Sequence, residues 1–182
     1  MPQYIVAPGS FSEEVAYHHM YETLLRVSCD GRLMPGLAQS WAAAEGGRVW
    51  LFTLRPGARY WDGAPVTALA IIDQWQARRT PAGGTLWPGN SATAMDDGRL
   101  AVRVPRASEF PPRELADQSL AVYRRTRESL VPSGTGPYRP SQQPGSGLML
   151  ERVDSTPGPR IIEFLAAPGD ARDLVDLGID VL

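Results

Sequence analysis

The residues suited to catalysis or metal binding in this 182-residue chain are two adjacent histidines, one cysteine and scattered carboxylates. His18 and His19 would point about 100° apart on a helix, so they cannot ligate together as residues at i and i+4 do. With one cysteine and no acid at ligand spacing facing them, the zinc pattern is absent, and helix packing or capping is the simpler reading. Ser28 and Cys29 lie one helix length from the histidines. Nothing orients them, and no Gly-x-Ser-x-Gly elbow is present, which argues against acyl transfer. Asp62 with Asp73, and Asp170 with Asp173, are better explained by turns and helix caps than by acid/base work. Ser133-Gly-Thr-Gly-Pro lacks the Gly-Lys-Ser/Thr ending of a phosphate loop, and the chain has no lysine to supply it. The chain is therefore not read as an enzyme, and no cofactor, catalytic residue or metal ligand is assigned.

Aromatic residues are the stronger signal. Trp41, Trp50, Trp61, Trp75 and Trp87 all fall in the first half, more indoles than a core of this size needs. Trp50 and Trp75 sit in a strand and a helix and are expected in the core. Trp61 and Trp87 sit in loops, where an indole offers a flat apolar face and one N–H to a ligand, so both are candidate ligand contacts.

These side chains need a scaffold, and composition allows one. Hydrophobic residues make up 43% and charged residues 21%, outside the disordered range, while 18 Gly and 17 Pro signal many turns. A net charge of −2 gives no field for nucleic acid or anionic lipid. The short basic clusters Arg78-Arg79 and Arg124-Arg125-Thr126-Arg127 are flanked by acids and read as solvated faces, so no nucleic-acid partner is expected. No apolar run reaches membrane-span length, and the first nine residues have neither a basic nor an apolar signal-peptide region.

Along the chain, Ser12 with Glu13 and Glu14 opens a helix whose apolar face runs through Val15, His19, Met20, Thr23, Leu24 and Val27 to a turn at Asp30-Gly31. A second short helix is expected between Pro35 and Ala44. Val49 to Leu54 reads as a strand buried on both faces, and Asp62-Gly63 as a hairpin-type turn. Thr67 caps a helix with Ile71, Ile72 and Trp75 on its apolar side. Residues 80–97 read as a long loop, and Arg99 to Val104 as a strand with Leu100, Val102 and Val104 inward. Pro111-Pro112 opens a short helix containing Leu115 and Leu120. Leu148 to Leu150 and Ile161 to Leu165 read as strands, Asp170 caps a closing helix that ends at Gly178, and Ile179 to Leu182 starts a strand. The mixed order of elements argues an α/β fold in two halves divided near residue 134.

Five blocks in sequence order carry a resemblance. They are Tyr21-Glu-Thr-Leu-Leu25, Leu33-Met-Pro-Gly-Leu-Ala-Gln-Ser-Trp41, Phe52 through Ala68, Gly134-Thr-Gly-Pro-Tyr138 and Gly178-Ile-Asp-Val181. Together they resemble the peptide/nickel family of extracellular solute-binding proteins that serve ABC importers. The resemblance implies a type II periplasmic-binding-protein clamp in which two lobes close on a ligand and deliver it to a membrane permease. It also implies a first-lobe segment at 1–33, a small second domain at 34–133 and a return to the first lobe at 134–182. Ligand contacts carry over to the start of the first helix, Ser12, Glu13, Glu14 and Tyr17, and Trp87 resembles a cavity tryptophan of nickel-binding members.

The family usually has an acidic pair where this chain has Leu69-Ala70. Family members run to several hundred residues, so the expectation is a chain truncated before its other large lobe, whose periplasmic or extracellular full-length form captures a peptide, nickel or an opine. Self-association through the exposed truncated face is expected too. The other reading the resemblance allows is the ligand-sensing domain of a cytoplasmic transcriptional regulator of the same fold.

Overall fold

The structure is a computed structural model that describes residues 11–77, 91–126, 131–141, 148–155 and 157–164. It divides into two compact units, Met1–Pro137 and Tyr138–Leu182. The first contains helix α1 (Phe11–Met20), strands β1 (Leu25–Val27), β2 (Leu33–Pro35), β3 (Ala38–Ala44) and β4 (Val49–Leu54), helix α2 (Ala68–Ala77), and strands β5 (Ala92–Ala94) and β6 (Leu100–Arg103). β1 and β2 form a hairpin, and the other four strands form a sheet in the order β3-β4-β6-β5. The second unit holds β7 (Tyr138–Pro140), β8 (Leu148–Arg152) and β9 (Ile161–Phe164) in one sheet. The fold mixes helices and strands, and every strand pairing among the described residues is antiparallel.

The core of the first unit lies between the four-stranded sheet and α2. Trp50 pairs with Val102 and Phe52 with Leu100, which sets these large side chains on one face, and Ile71, Ile72 and Trp75 of α2 join them in one buried cluster. α2 starts where the sequence puts it. Thr67 Oγ1 accepts from the Ala70 backbone N–H at 3.1 Å, satisfying one of the free donors of the first turn. Trp75 is fully buried, and its indole N–H donates to Leu120 O at 3.2 Å. The Asp62-Gly63 turn also forms, with Asp62 Oδ1 accepting from Ala64 N at 3.0 Å.

Several expectations are corrected. The first helix stops at Met20 rather than running to Val27, and Leu25–Val27 is a strand. A longer helix would tie the carbonyls of Glu22, Thr23 and Leu24 to its own next turn; instead they accept from Val122, Leu37 and Ala38 at 2.8 to 3.0 Å. The segment between Pro35 and Ala44 is strand β3, because pairing with β4 along six positions outweighs the weak strand preference of Ala and Gln. Part of the expected 80–97 loop is strand β5, which pairs with β6. β6 buries Leu100, Ala101 and Val102 alike, so it is more enclosed than its alternation implied. The helix after Pro111-Pro112 is two short 3-10 turns, Arg113–Ala116 and Gln118–Leu120. The helix expected from Asp170 and the strand from Ile179 lie outside the described residues.

Candidate ligand-binding site

α1 carries the expected contacts from the helix start. Ser12 and Glu13 are in its first turn, and the description of side chains begins at Glu14. Glu14 is exposed and lies 3.9 Å from His18 Nε2 one turn on, so, contrary to the expectation from the sequence, an acid does face this histidine at helical spacing. His18 Nδ1 meets Gln118 Nε2 at 2.6 Å, and His19 Nδ1 donates to Val15 O at 2.7 Å. Both histidines thus make packing and backbone contacts, and among the described residues no group of three or more metal-binding side chains gathers.

Two expected contacts, Tyr17 and Trp61, converge on a residue the sequence offered only as part of a motif. Tyr21 is buried, with Tyr17 at 4.6 Å between ring centroids, Trp61 at 5.7 Å and Tyr123 edge-on at 6.1 Å. Tyr17 and Trp61 are half-buried, so they form the accessible flanks of an aromatic shelf whose centre is closed. Burial first, then the neighbouring Tyr17 and Tyr123, push the Tyr21 hydroxyl far above the usual tyrosine range. It stays neutral and donates to Pro132 O at 3.3 Å. Arg125 lies 6.0 Å from the Tyr123 ring centroid, bringing a cation to one end of the shelf.

Trp61 is held by a chain crossing. Its indole N–H donates to Gly136 O at 2.9 Å and its backbone N–H to Gly134 O at 3.0 Å. Gly134 and Gly136 pass so close to the end of α1 that a Cβ at either position would collide with the backbone of Met20 or His19; one at Gly134 would also come within 2.6 Å of the Trp61 ring. The indole N–H is thus already engaged, which leaves the ring face of Trp61 for any ligand. Trp87 lies outside the described residues. No spacing signal pointed to Tyr123 or Gln118, since each reaches the site from about 100 residues beyond α1.

This frame matches known proteins. Residues 32–159 fit the model of the middle part of bacterial extracellular solute-binding proteins, family 5. The chain belongs to that family.

Among related sequences, this family 5 chain is 38% identical over 58 residues to the nickel-binding periplasmic protein of Escherichia coli, a match covering 32% of this chain and 11% of the relative. It is 35% identical over 89 residues to the E. coli periplasmic murein peptide-binding protein MppA, covering 44% and 16%. Among solved structures, OppA of Burkholderia pseudomallei superposes with a TM-score of 0.64 at 22% identity, over 80% of this chain and 34% of that one. NikA of Brucella suis, solved with Fe(III)-EDTA, gives 0.67 at 20% identity over 97% and 39%. The fold is that of type II periplasmic binding proteins, of which this family 5 chain spans little more than a third.

Proposed function

We propose that this chain captures substrate for an ABC importer of peptides or a related small solute such as nickel or an opine, working in the periplasm or outside the cell beside a membrane permease. The family match over residues 32–159 carries this reading. Relatives whose names specify nickel and murein peptide give the solute classes. These relatives are periplasmic, which supports the same compartment, and no helix among the described residues is long and apolar enough to cross a membrane. They lend no support to a cytoplasmic regulator. Ligand contacts are proposed at Ser12, Glu13, Glu14, Tyr17, Trp61 and Trp87, with the Tyr17–Tyr21–Trp61 shelf as an apolar wall. The 1–33, 34–133 and 134–182 arrangement stands as part of the same proposal.

The deciding experiment deletes the gene in its host and follows uptake of a labelled tripeptide and of labelled nickel. Loss of one uptake, restored by the gene, is the expected result. Unchanged uptake of both solutes and of a labelled opine, in cells shown to make the protein, overturns the reading.

A further inference from the structure

Behind the aromatic shelf, one residue meets the support of each ring. Glu22 follows Tyr21 in the chain, Val122 precedes Tyr123, and Thr135 lies between Gly134 and Gly136, the two residues that hold Trp61. Glu22 O accepts from Val122 N at 2.8 Å, and Glu22 N donates to Thr135 Oγ1 at 3.2 Å. The backbone of Glu22 therefore joins the three segments that carry Tyr21, Tyr123 and the Trp61 anchor.

The side chain of Glu22 is anchored as firmly. Arg55, just past the end of β4, donates from Nη1 to Oε1 at 3.1 Å and from Nη2 to Oε2 at 2.9 Å, the two-pronged geometry that makes such pairs strong and directional. Fully exposed ion pairs contribute little, but here the Glu22 side chain is only 17% exposed. Arg55 is itself fixed, its backbone N–H donating to Leu37 O at 2.8 Å and Nη1 also reaching Gly36 O at 3.3 Å. A covered carboxylate deprived of this partner would turn toward water, and the backbone at residues 21–23 would follow it. Neither residue belongs to the buried core of the first unit, so the fork can be cut without opening that core. Gln74 of α2 gives a separate brace to one ring only: its amide accepts from Tyr123 N at 3.2 Å and donates to Ala121 O at 2.9 Å.

We propose that Glu22 is the positioning residue of the aromatic shelf, and that the Arg55 fork, by holding Glu22, sets how Tyr21, Trp61 and Tyr123 stand relative to one another and to a solute. The Glu22 carboxylate is engaged by Arg55, so it acts through the backbones that carry the rings. The inference rests on the reading of the shelf as a solute contact. A binding wall keeps its selectivity only while its rings are held to within a fraction of an ångström, and supports behind the wall do that holding.

The test compares Glu22→Gln and Arg55→Gln, which lose the charge pair, with Arg55→Lys, which keeps the charge but cannot fork, and Thr135→Val with Thr135→Ser, which keeps the acceptor. Circular dichroism melts set a temperature at which every variant is folded. At that temperature the Trp61 indole N–H resonance and the Overhauser contacts between the Tyr21 and Trp61 rings are expected to change in Glu22→Gln, Arg55→Gln and Thr135→Val, to change less in Arg55→Lys, and to match the wild type in Thr135→Ser. Gln74→Leu is expected to move Tyr123 and leave the Trp61 resonance in place, which separates positioning from general loosening. In the host, uptake of the labelled tripeptide, nickel or opine, whichever depends on the gene, is expected to fall about tenfold in Glu22→Gln, within the range that coupling inside one hydrogen-bond network produces. Unchanged ring contacts in Glu22→Gln and Arg55→Gln overturn the positioning role whatever the uptake. Disturbed ring contacts with undiminished uptake overturn the shelf as a solute wall, so the two failures are told apart.

Discussion

Trp61 shows at the scale of one residue what a sequence conceals. A tryptophan in a loop reads as a ligand contact, but the carbonyl that takes its N–H comes from Gly136, 75 positions away. Replacing Trp61 with Phe keeps most of the ring and strands that carbonyl, so denaturant unfolding is expected to show a loss of about 1 kcal/mol. Gly134→Ala is expected to cost more, because its Cβ meets backbone that cannot turn aside. Tyrosines give a second prediction. Burial pushes Tyr60 from 10.0 up to about 12, and Tyr21 higher still. A folded-state value above the unfolded one means that the native protein keeps its proton while the unfolded chain loses it. The resulting stability is full below pH 10 and falls as pH rises through the folded values. In an ultraviolet titration, Tyr21 and Tyr60 are expected to ionise later than exposed tyrosines and together with unfolding. Ionisation of both near pH 10 in a folded protein would contradict their burial.

Elements were legible where their determinants are local. α2 was read from a capping threonine and an apolar face three and four residues apart, and both occur as expected. Thr67→Ala removes the cap and is expected to cost about 1 kcal/mol in thermal or denaturant unfolding, while Thr67→Ser retains most of it. β1 and β3 depart from the helices that local spacing implies because their strand character is imposed from outside. Residues 22–24 are extended by partners in two other segments, and β3 by its register with β4. Helical spacing was present in both stretches, but long-range pairing decided the outcome. The aromatic shelf follows the same rule: Tyr17 and Tyr21 lie one turn apart at the end of α1, whereas Trp61 and Tyr123 arrive through tertiary structure.

At the scale of the molecule, the order of short motifs identified the family although no single motif would have done so. Those motifs are mostly the turns and crossings that the fold needs, such as the Asp62-Gly63 turn and the Gly134–Gly136 crossing, and they say little about the ligand. The shelf, proposed as a ligand contact, would present one wall, whereas enclosing a small ligand takes burial of about 70–90% of its surface. Calorimetry of the 182-residue chain with a tripeptide or with nickel is therefore expected to show affinity weaker than micromolar. Tighter binding would mean that the described wall is not the whole of the site.

The crossing at Met20 and Gly136 has one more consequence. Gly136 N donates to Met20 O at 3.0 Å, so the chain leaves and re-enters this point after more than a hundred residues have formed their own sheet and core. A body whose two ends meet behaves as a cassette. It can be enlarged, trimmed or exchanged during evolution without pulling Met20 away from Gly136, as inserted domains with adjacent termini allow.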